Sequence, residues 1–168
     1  MTLTTTRLDL QLLTGDQLDL WTDNLPALEG EMGCTCRAEP MEGNFRAAVE
    51  CQREKTRADP QNTVWNSFWL LIRQSDRIVV GSADFKNVPA DKGGLVELGY
   101  GLGEEYEGYG YMTEAVRAMC AWALTQPGVT AVVAETERGN VRSQRVLTRC
   151  GFRPDHGENT LWWRLGGS

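Results

Sequence analysis

A stretch at residues 94–113, GLVELGYGLGEEYEGYGYMT, has the residue types of an anion-binding loop. Its apolar first half predicts a strand over Leu95–Leu102, and a helix is predicted to begin near Tyr111. Four glycines lie at the end of the strand and in the turn: Gly101, Gly103, Gly108 and Gly110. Glycines let the backbone approach a phosphate, and the first N–H groups of a helix have no backbone acceptor and carry partial positive charge. The turn is therefore predicted to hold a phosphate-bearing ligand.

Two common phosphate-binding motifs do not fit this turn. A Walker loop requires Gly-x-x-x-x-Gly-Lys followed by Ser or Thr, and the chain has no Gly-Lys-Ser or Gly-Lys-Thr. A Rossmann loop requires Gly-x-Gly-x-x-Gly at the start of the helix, and neither Gly99-x-Gly101-x-Gly103 nor Gly108-x-Gly110 has that spacing. A nucleotide-dependent enzyme is therefore disfavoured.

Three segments, taken in order, resemble the GNAT family of N-acetyltransferases. Residues 107–115, EGYGYMTEA, resemble its pyrophosphate loop, whose pattern is Gln/Arg-x-x-Gly-x-Gly/Ala. Residues 140–152 look like the family's Asn-x-x-Ser/Ala helix that ends in Gly-Phe. Residues 96–100, VELGY, and the opening Thr-Arg-Leu at 6–8 resemble the branch that contains ribosomal-protein N-terminal and spermidine-type acetyltransferases.

The resemblance implies an α/β fold of the acyl-CoA N-acyltransferase (GNAT) type, as one domain over residues 1–168. Its mixed, mostly antiparallel sheet would be flanked by helices and would splay between two parallel central strands, Leu95–Leu102 and Val129–Thr136. The implied reaction is direct transfer of an acetyl group from acetyl-CoA to a primary amine in a ternary complex, without a metal. A peptide N-terminus, a polyamine and a small amine all stay open as acceptors. The alternative is a catalytically weak CoA-binding sensor or regulator.

The resemblance also assigns the residues that would hold acetyl-CoA. Backbone groups of the strand end would contact the pantetheine arm: Tyr100, Gly101 and Leu102. The pyrophosphate would lie on the loop and first helical turn: Glu107, Gly108, Tyr109, Gly110, Tyr111, Met112 and Thr113. Asn140 would bond the pantetheine or order the loop. Glu107 replaces the usual Gln or Arg and, with Glu104 and Glu105, brings negative charge that Arg138 and Arg142 are expected to offset in part.

Glu97 and Ser143 are the main candidates for proton transfer. Glu97 is the only charged residue in its apolar strand, so it is the first candidate for a base that deprotonates the amine, directly or through water. Asp84 and Glu135 are weaker candidates. Many GNAT enzymes place a Tyr acid at the position of Leu147; by resemblance Ser143 is the alternative acid, although it equally fits a helix N-cap.

The remaining elements must position this site. Thr14 is predicted to cap a short helix, and residues 23–40 to form a broken helix or a mobile loop. The other predicted elements are a strand over residues 7–12, a helix over 41–57, and a hairpin of strands 64–73 and 77–86. Residues 23–59 would form the wall on the acceptor side.

Composition argues against several classes of partner. The 168 residues carry a formal net charge of −6, which disfavours nucleic acid and an anionic membrane surface and suits a cationic amine. The five cysteines follow neither a zinc nor a disulfide spacing, and no secretory signal is recognised, so a cytoplasmic location is expected. A homodimer stays open.

Overall fold

A computed structural model describes residues 1–167 of the chain. The helices in this range are α1 Gly15–Asp23, α2 Leu25–Met32, α3 Gly43–Ala58, α4 Thr63–Asn66, α5 Tyr111–Leu124 and α6 Val141–Arg149. The strands are β1 Thr2–Thr4, β2 Leu8–Leu12, β3 Thr35–Cys36, β4 Phe68–Arg73, β5 Ile78–Phe85, β6 Leu95–Leu102, β7 Ala131–Thr136, β8 Arg153–Asp155 and β9 Leu161–Leu165. None of these helices combines the length and the apolar character that crossing a membrane requires.

The strands form one nine-stranded sheet in the order β1-β2-β4-β5-β6-β7-β9-β8, with β3 beside β5. The β3/β5 and β6/β7 pairs are parallel, and the other neighbours are antiparallel. Parallel neighbours need a crossover connection, and α5 supplies it between β6 and β7. The predicted mixed, mostly antiparallel sheet with two parallel central strands is confirmed.

Helices cover both faces of the sheet. On one face the α5 residue Trp122 lies against Trp69 and Phe85, with ring centroids 5.6 and 6.0 Å apart, and Val116 and Met119 of α5 belong to the same apolar cluster. On the opposite face, residues of α1, α2 and α3 form a second apolar cluster with Phe68 and other β4 and β5 residues. Strand β4 is buried on both sides, which explains its uninterrupted apolar sequence.

The first part of the predicted strand 64–73 is helical, and this prediction was wrong there. Residues Thr63–Asn66 form the single turn of α4, closed by the Ser67 N–H donating to the Thr63 carbonyl at 2.9 Å. The Ser67 hydroxyl donates to the Leu13 carbonyl at 2.7 Å, which ties the start of β4 to the end of β2. An apolar run of this length does not distinguish a strand from a buried helical turn, and a contact with residue 13 decides the outcome.

Residues 23–40 are a broken helix, one of the two forms predicted, followed by a short strand. Helix α2 ends at Gly33, whose φ of 62° is left-handed. Strand β3 then pairs with the start of β5, and the Arg37 N–H donates to the Val79 carbonyl at 3.0 Å. This pairing carries residues 37–39 toward the end of β6.

The N-terminal segment fixes the position of the glycine-rich loop. The Glu114 carboxylate, in the first turn of α5, accepts hydrogen bonds from Thr5 Oγ1 at 2.6 Å and from Arg7 N and Arg7 Nε at 3.0 Å each. Partial burial alone would raise the pKa of Glu114, but these hydrogen bonds leave it below its ordinary value. Arg7 Nη1 also donates to the Tyr109 carbonyl at 2.9 Å, so the loop and the start of α5 are held by one side chain.

Candidate active site

The central strands diverge after three paired residues. Leu95, Val96 and Glu97 of β6 pair with Ala131, Val132 and Val133 of β7. Beyond Glu97, β6 continues to Leu102 in register with β5 only, while β7 continues beside β9. The sheet is therefore open between these strands, and the backbone of β6 is free on one edge to bond an extended ligand.

A cleft of ≈ 650 Å³ lies at this opening, between the end of β6, the loop, the start of α5 and α6. It brings together Ser143 and every predicted cofactor residue except Tyr109: Tyr100, Gly101, Leu102, Glu107, Gly108, Gly110, Tyr111, Met112, Thr113 and Asn140. The Tyr109 residue is 63% exposed and outside the cleft lining. Its contribution to the loop is the carbonyl that Arg7 binds.

The loop has the geometry of an anion site. Gly108 and Gly110 have φ of 84° and 81°, in the left-handed region that residues other than glycine rarely adopt. Gly110 is the N-cap of α5, and no side chain caps the helix. The N–H groups of Tyr111, Met112 and Thr113 therefore remain open at the cleft, and the pyrophosphate of CoA is a ligand that these groups fit.

Three arginines on α6 add positive charge to the cleft, and two of them were not predicted from the sequence. Arg142, Arg145 and Arg149 all line the cleft, and only Arg142 was predicted to act there. Their spacing of three and four residues places them on one helix face, which was the available signal.

The acidic run before the loop is partly neutralised. Arg142 forms an ion pair with Glu107, as expected. Arg138 does not contribute: its guanidinium donates to the carbonyls of Gly157 and Glu158, at 2.9 and 3.1 Å. Glu104 and Glu105 lie exposed in a 3-10 turn. The charged side chains that line the cleft are thus the paired carboxylate of Glu107 and the guanidinium groups of three arginines.

Ser143 is not the cap of α6, so that alternative was wrong. Asn140 is the N-cap, and its side-chain oxygen accepts from the Ser143 N–H at 3.1 Å. The Ser143 hydroxyl is instead 2.6 Å from the Tyr100 hydroxyl, and both residues line the cleft. Burial raises the pKa of Tyr100 to about 12, although the Ser143 hydrogen bond partly opposes this shift. A protonated phenol therefore reaches this site from β6, while position 147 holds a buried Leu.

Glu97 lies at the closed end of the opening. It is the last β6 residue that pairs with β7, and its backbone N–H donates to Asn87 Oδ1 at 2.9 Å. Its side chain is 12% exposed, and its two oxygens lie 3.5 Å from Lys92 Nζ and 3.6 Å from Lys86 Nζ. The Glu97 carboxylate is thus paired with two lysines at the edge of the opening.

The weaker base candidates differ in their surroundings. Asp84 is buried opposite Gly99 and accepts from Gln52 Nε2 at 3.1 Å. Burial raises the pKa of Asp84 to about 6, against the opposing effect of Lys86. Glu135 is exposed and accepts from the Thr160 hydroxyl at 2.6 Å. Over residues 1–167, no three or more His, Cys, Asp or Glu side chains are grouped to hold a metal ion.

Comparisons with known proteins agree with this geometry. The family model described as "Acetyltransferase (GNAT) domain" matches residues 31–153. An uncharacterized N-acetyltransferase of Bacillus subtilis (strain 168), YjdG, is 27% identical over 155 residues, 86% of this chain and 91% of that protein. The [Ribosomal protein uS5]-alanine N-acetyltransferase of Escherichia coli (strain K12) is 28% identical over 88 residues, 52% of this chain and 45% of that protein.

A solved structure shares the fold over almost the whole chain. The ribosomal-protein-S5-alanine acetyltransferase of Vibrio fischeri superimposes with a TM-score of 0.70 at 15% identity, covering 99% of this chain and 96% of that one. Since the family model spans well over half of the sequence, the chain belongs to the GNAT acetyltransferase family, whose acetyl donor is acetyl-CoA.

Proposed function

We propose that this chain, acting as one domain, acetylates a primary amine with acetyl-CoA as donor. The observation that carries the proposal is one continuous cleft from the uncapped N-terminus of α5 to the opening between β6 and β7. Peptide N-termini are included among the acceptors because relatives are named ribosomal-protein-alanine N-acetyltransferases. We infer a cytoplasmic setting from such substrates.

Acetyl-CoA supplies an acetyl thioester with an electrophilic carbonyl carbon, and this chain's residues hold it. Backbone N–H groups of residues 108–113 bind the pyrophosphate, and the free β6 edge at residues 100–102 bonds the pantetheine arm. Arg145 and Arg149 offset the remaining phosphate charge. A backbone N–H on the free edge of β6 would also be available to donate to the carbonyl oxygen of a bound thioester. These assignments rest on the cleft lining and on the loop geometry.

Two proton-transfer roles complete the proposed mechanism. Glu97 accepts a proton from the acceptor ammonium through water, because an amine attacks only in its neutral form. Ser143, hydrogen-bonded to Tyr100, would supply a proton to the leaving thiolate, which then departs as the free thiol. The two roles lie at different places, with the carboxylate at the closed end of the opening and the hydroxyl pair on the α6 wall of the cleft.

Release of free thiol from acetyl-CoA in the presence of an amine panel tests this function. We expect release that depends on the amine and an acetylated product of the amine by mass spectrometry. Release without any amine would indicate hydrolysis alone. Tight CoA binding without release would favour the alternative, a CoA-binding sensor, and would overturn the proposed reaction.

Glu107→Gln is expected to tighten CoA binding about fivefold at low salt, since it removes a negative charge beside the pyrophosphate and frees Arg142. The gain should shrink at high salt because exposed charges are screened. Isothermal titration with CoA at two salt concentrations measures it. Glu104→Gln, three residues earlier and unpaired with Arg142 in the described structure, is the control for a nonspecific charge effect. Weaker binding by Glu107→Gln would show that the Glu107 carboxylate itself holds the ligand.

Ser143→Ala and Tyr100→Phe are each expected to lower kcat about tenfold, less than a full general-acid effect because a thiolate can also leave unprotonated. The double variant should lose no more than either single variant, since the two hydroxyls act as one pair. Thr148→Ala, a hydroxyl deletion on the exposed side of α6, is the control. Unchanged kcat in both single variants would leave the pair a structural role only.

A further inference from the structure

Two glycines of β6 each make room for a carboxylate from another element. A Cβ added to Gly99 would lie 2.7 Å from Asp84 Oδ1, and a Cβ added to Gly101 would overlap Glu39 Oε1. Both glycines alternate with Leu98 and Tyr100, which pack on the α5 side, so the two carboxylates lie on the opposite face of the sheet. Because positions 99 and 101 have no side chain, the Asp84 and Glu39 carboxylates lie directly against the backbone of β6.

The two carboxylates differ in whether protein groups satisfy them. Asp84 accepts a hydrogen bond from Gln52, which is itself buried. Glu39 is half-buried, and across residues 1–167 it has no hydrogen-bond donor or cation beside it; burial and the nearby Glu107 raise its pKa. Partial burial of an unpaired carboxylate costs free energy that a bound cation would offset.

Glu39 also lies beside the opening in the sheet, where the acetyl donor and the acceptor amine must come together. Gly101 lines the proposed CoA cleft and has no β7 neighbour, so the sheet is open beside it. Glu39 is outside the cleft lining, across the strand from the α5 side. Its segment is fixed there: the Arg37 N–H bonds to Val79, and the Arg37 carbonyl packs so closely over Gly103 that a Cβ would not fit.

We propose that Glu39 binds the ammonium group of the acceptor and thereby selects cationic primary amines. An ammonium group donates up to three hydrogen bonds, and an ionised carboxylate accepts them without further groups. The shared chemistry is a primary ammonium, carried by a peptide N-terminus or by an alkylamine. This role rests on the proposed function. Deprotonation remains with Glu97, so Glu39 governs binding of the acceptor and Glu97 governs its activation.

Steady-state kinetics of Glu39→Gln against Glu42→Gln tests the role. Glu42 is exposed, lies on the same segment and makes no side-chain capping bond to α3, so its variant controls for loss of one charge. Three acceptors are compared: a peptide with a free N-terminus, an aliphatic diamine, and a fluorinated alkylamine that is uncharged at the assay pH. Binding of CoA, measured by titration, verifies that each variant keeps its fold and its donor site.

For Glu39→Gln we expect KM to rise about tenfold or more with a charged acceptor, because a hydrogen bond to a charged group is lost. The kcat, the KM for the uncharged amine and the CoA affinity should stay unchanged. A rise confined to the peptide or to the diamine supports the role and identifies that acceptor. Equal KM for wild type and Glu39→Gln with both charged acceptors, or an equal rise with the uncharged amine, would overturn it. Absence of turnover by the wild-type protein with every amine would overturn the proposed function, and this role with it.

Discussion

Gly110→Val is expected to raise the CoA dissociation constant at least about 100-fold, because two or more charge-assisted hydrogen bonds from the loop would be lost at about 1.5 kcal/mol each. Gly110 has φ of 81° and ψ of 6°, a conformation that a β-branched residue adopts only with strain. The new side chain would turn the first N–H groups of α5 away from their ligand. Titration with CoA measures the loss.

The effect of Gly110→Val on stability must be separated from its effect on binding. A Cβ at position 110 would lie 3.4 Å from Arg7 Nη2, the guanidinium that holds the loop, so some loss of stability is also expected. Gly93→Val is the matched control, since Gly93 also has a left-handed φ of 60° but lies before β6, at the opposite end from the loop. A folded Gly110→Val protein with unaltered CoA affinity would place the phosphate site elsewhere.

Glu97→Gln is expected to lower kcat about 100-fold or more while CoA affinity is kept, since general-base catalysis contributes an effect of this size. The substitution keeps the shape of the side chain, and the bond from the Glu97 backbone N–H to Asn87 does not depend on it. The pH–rate profile should lose its acid limb, because no group then titrates in the base role. Single-turnover kinetics over a range of pH measures both effects.

The same profile distinguishes Glu97 from the other carboxylates. If Asp84, whose pKa is raised to about 6 by burial, were the base, Glu97→Gln would retain an acid limb near that pH and Asp84→Asn would remove it. Glu135→Gln, on the neighbouring β7, serves as the control for loss of one carboxylate, since Glu135 is exposed and bonded to Thr160. An acid limb unchanged by Glu97→Gln would exclude Glu97 from the mechanism.

Local signals in the sequence were strongest around the proposed CoA site. The strand Leu95–Leu102 has the predicted bounds, and α5 begins at Tyr111 as predicted, because an apolar run followed by glycines and a helical period is readable within a short window. The strand β7, Ala131–Thr136, pairs parallel with β6, as the resemblance to the family implied. Three segments resemble the GNAT family, at residues 96–100, 107–115 and 140–152, and their order and spacing were sufficient to predict it.

Local signals failed where a distant residue decides the conformation. Residues 63–66 became a helical turn in a segment anchored to residue 13. The cap of α6 was also misassigned, although Asn140, which caps the helix, lies only three residues before Ser143. The spacing of Arg145 and Arg149 predicts that they share one helix face, but no local pattern in the sequence indicates that this face borders the glycine loop. The site residues themselves stay predictions until the variants above are measured.

The sequence by itself determined the family, the glycine loop and the bounds of β6, because each motif that indicates them lies within a short window of residues. Only the tertiary structure decided what surrounds them. It joined Tyr100 to Ser143, lined the cleft with Arg145 and Arg149, and brought Glu39 onto Gly101 across more than sixty residues of chain. These contacts link separate elements, and their existence depends on how the sheet orders its strands, which no local pattern of side chains encodes.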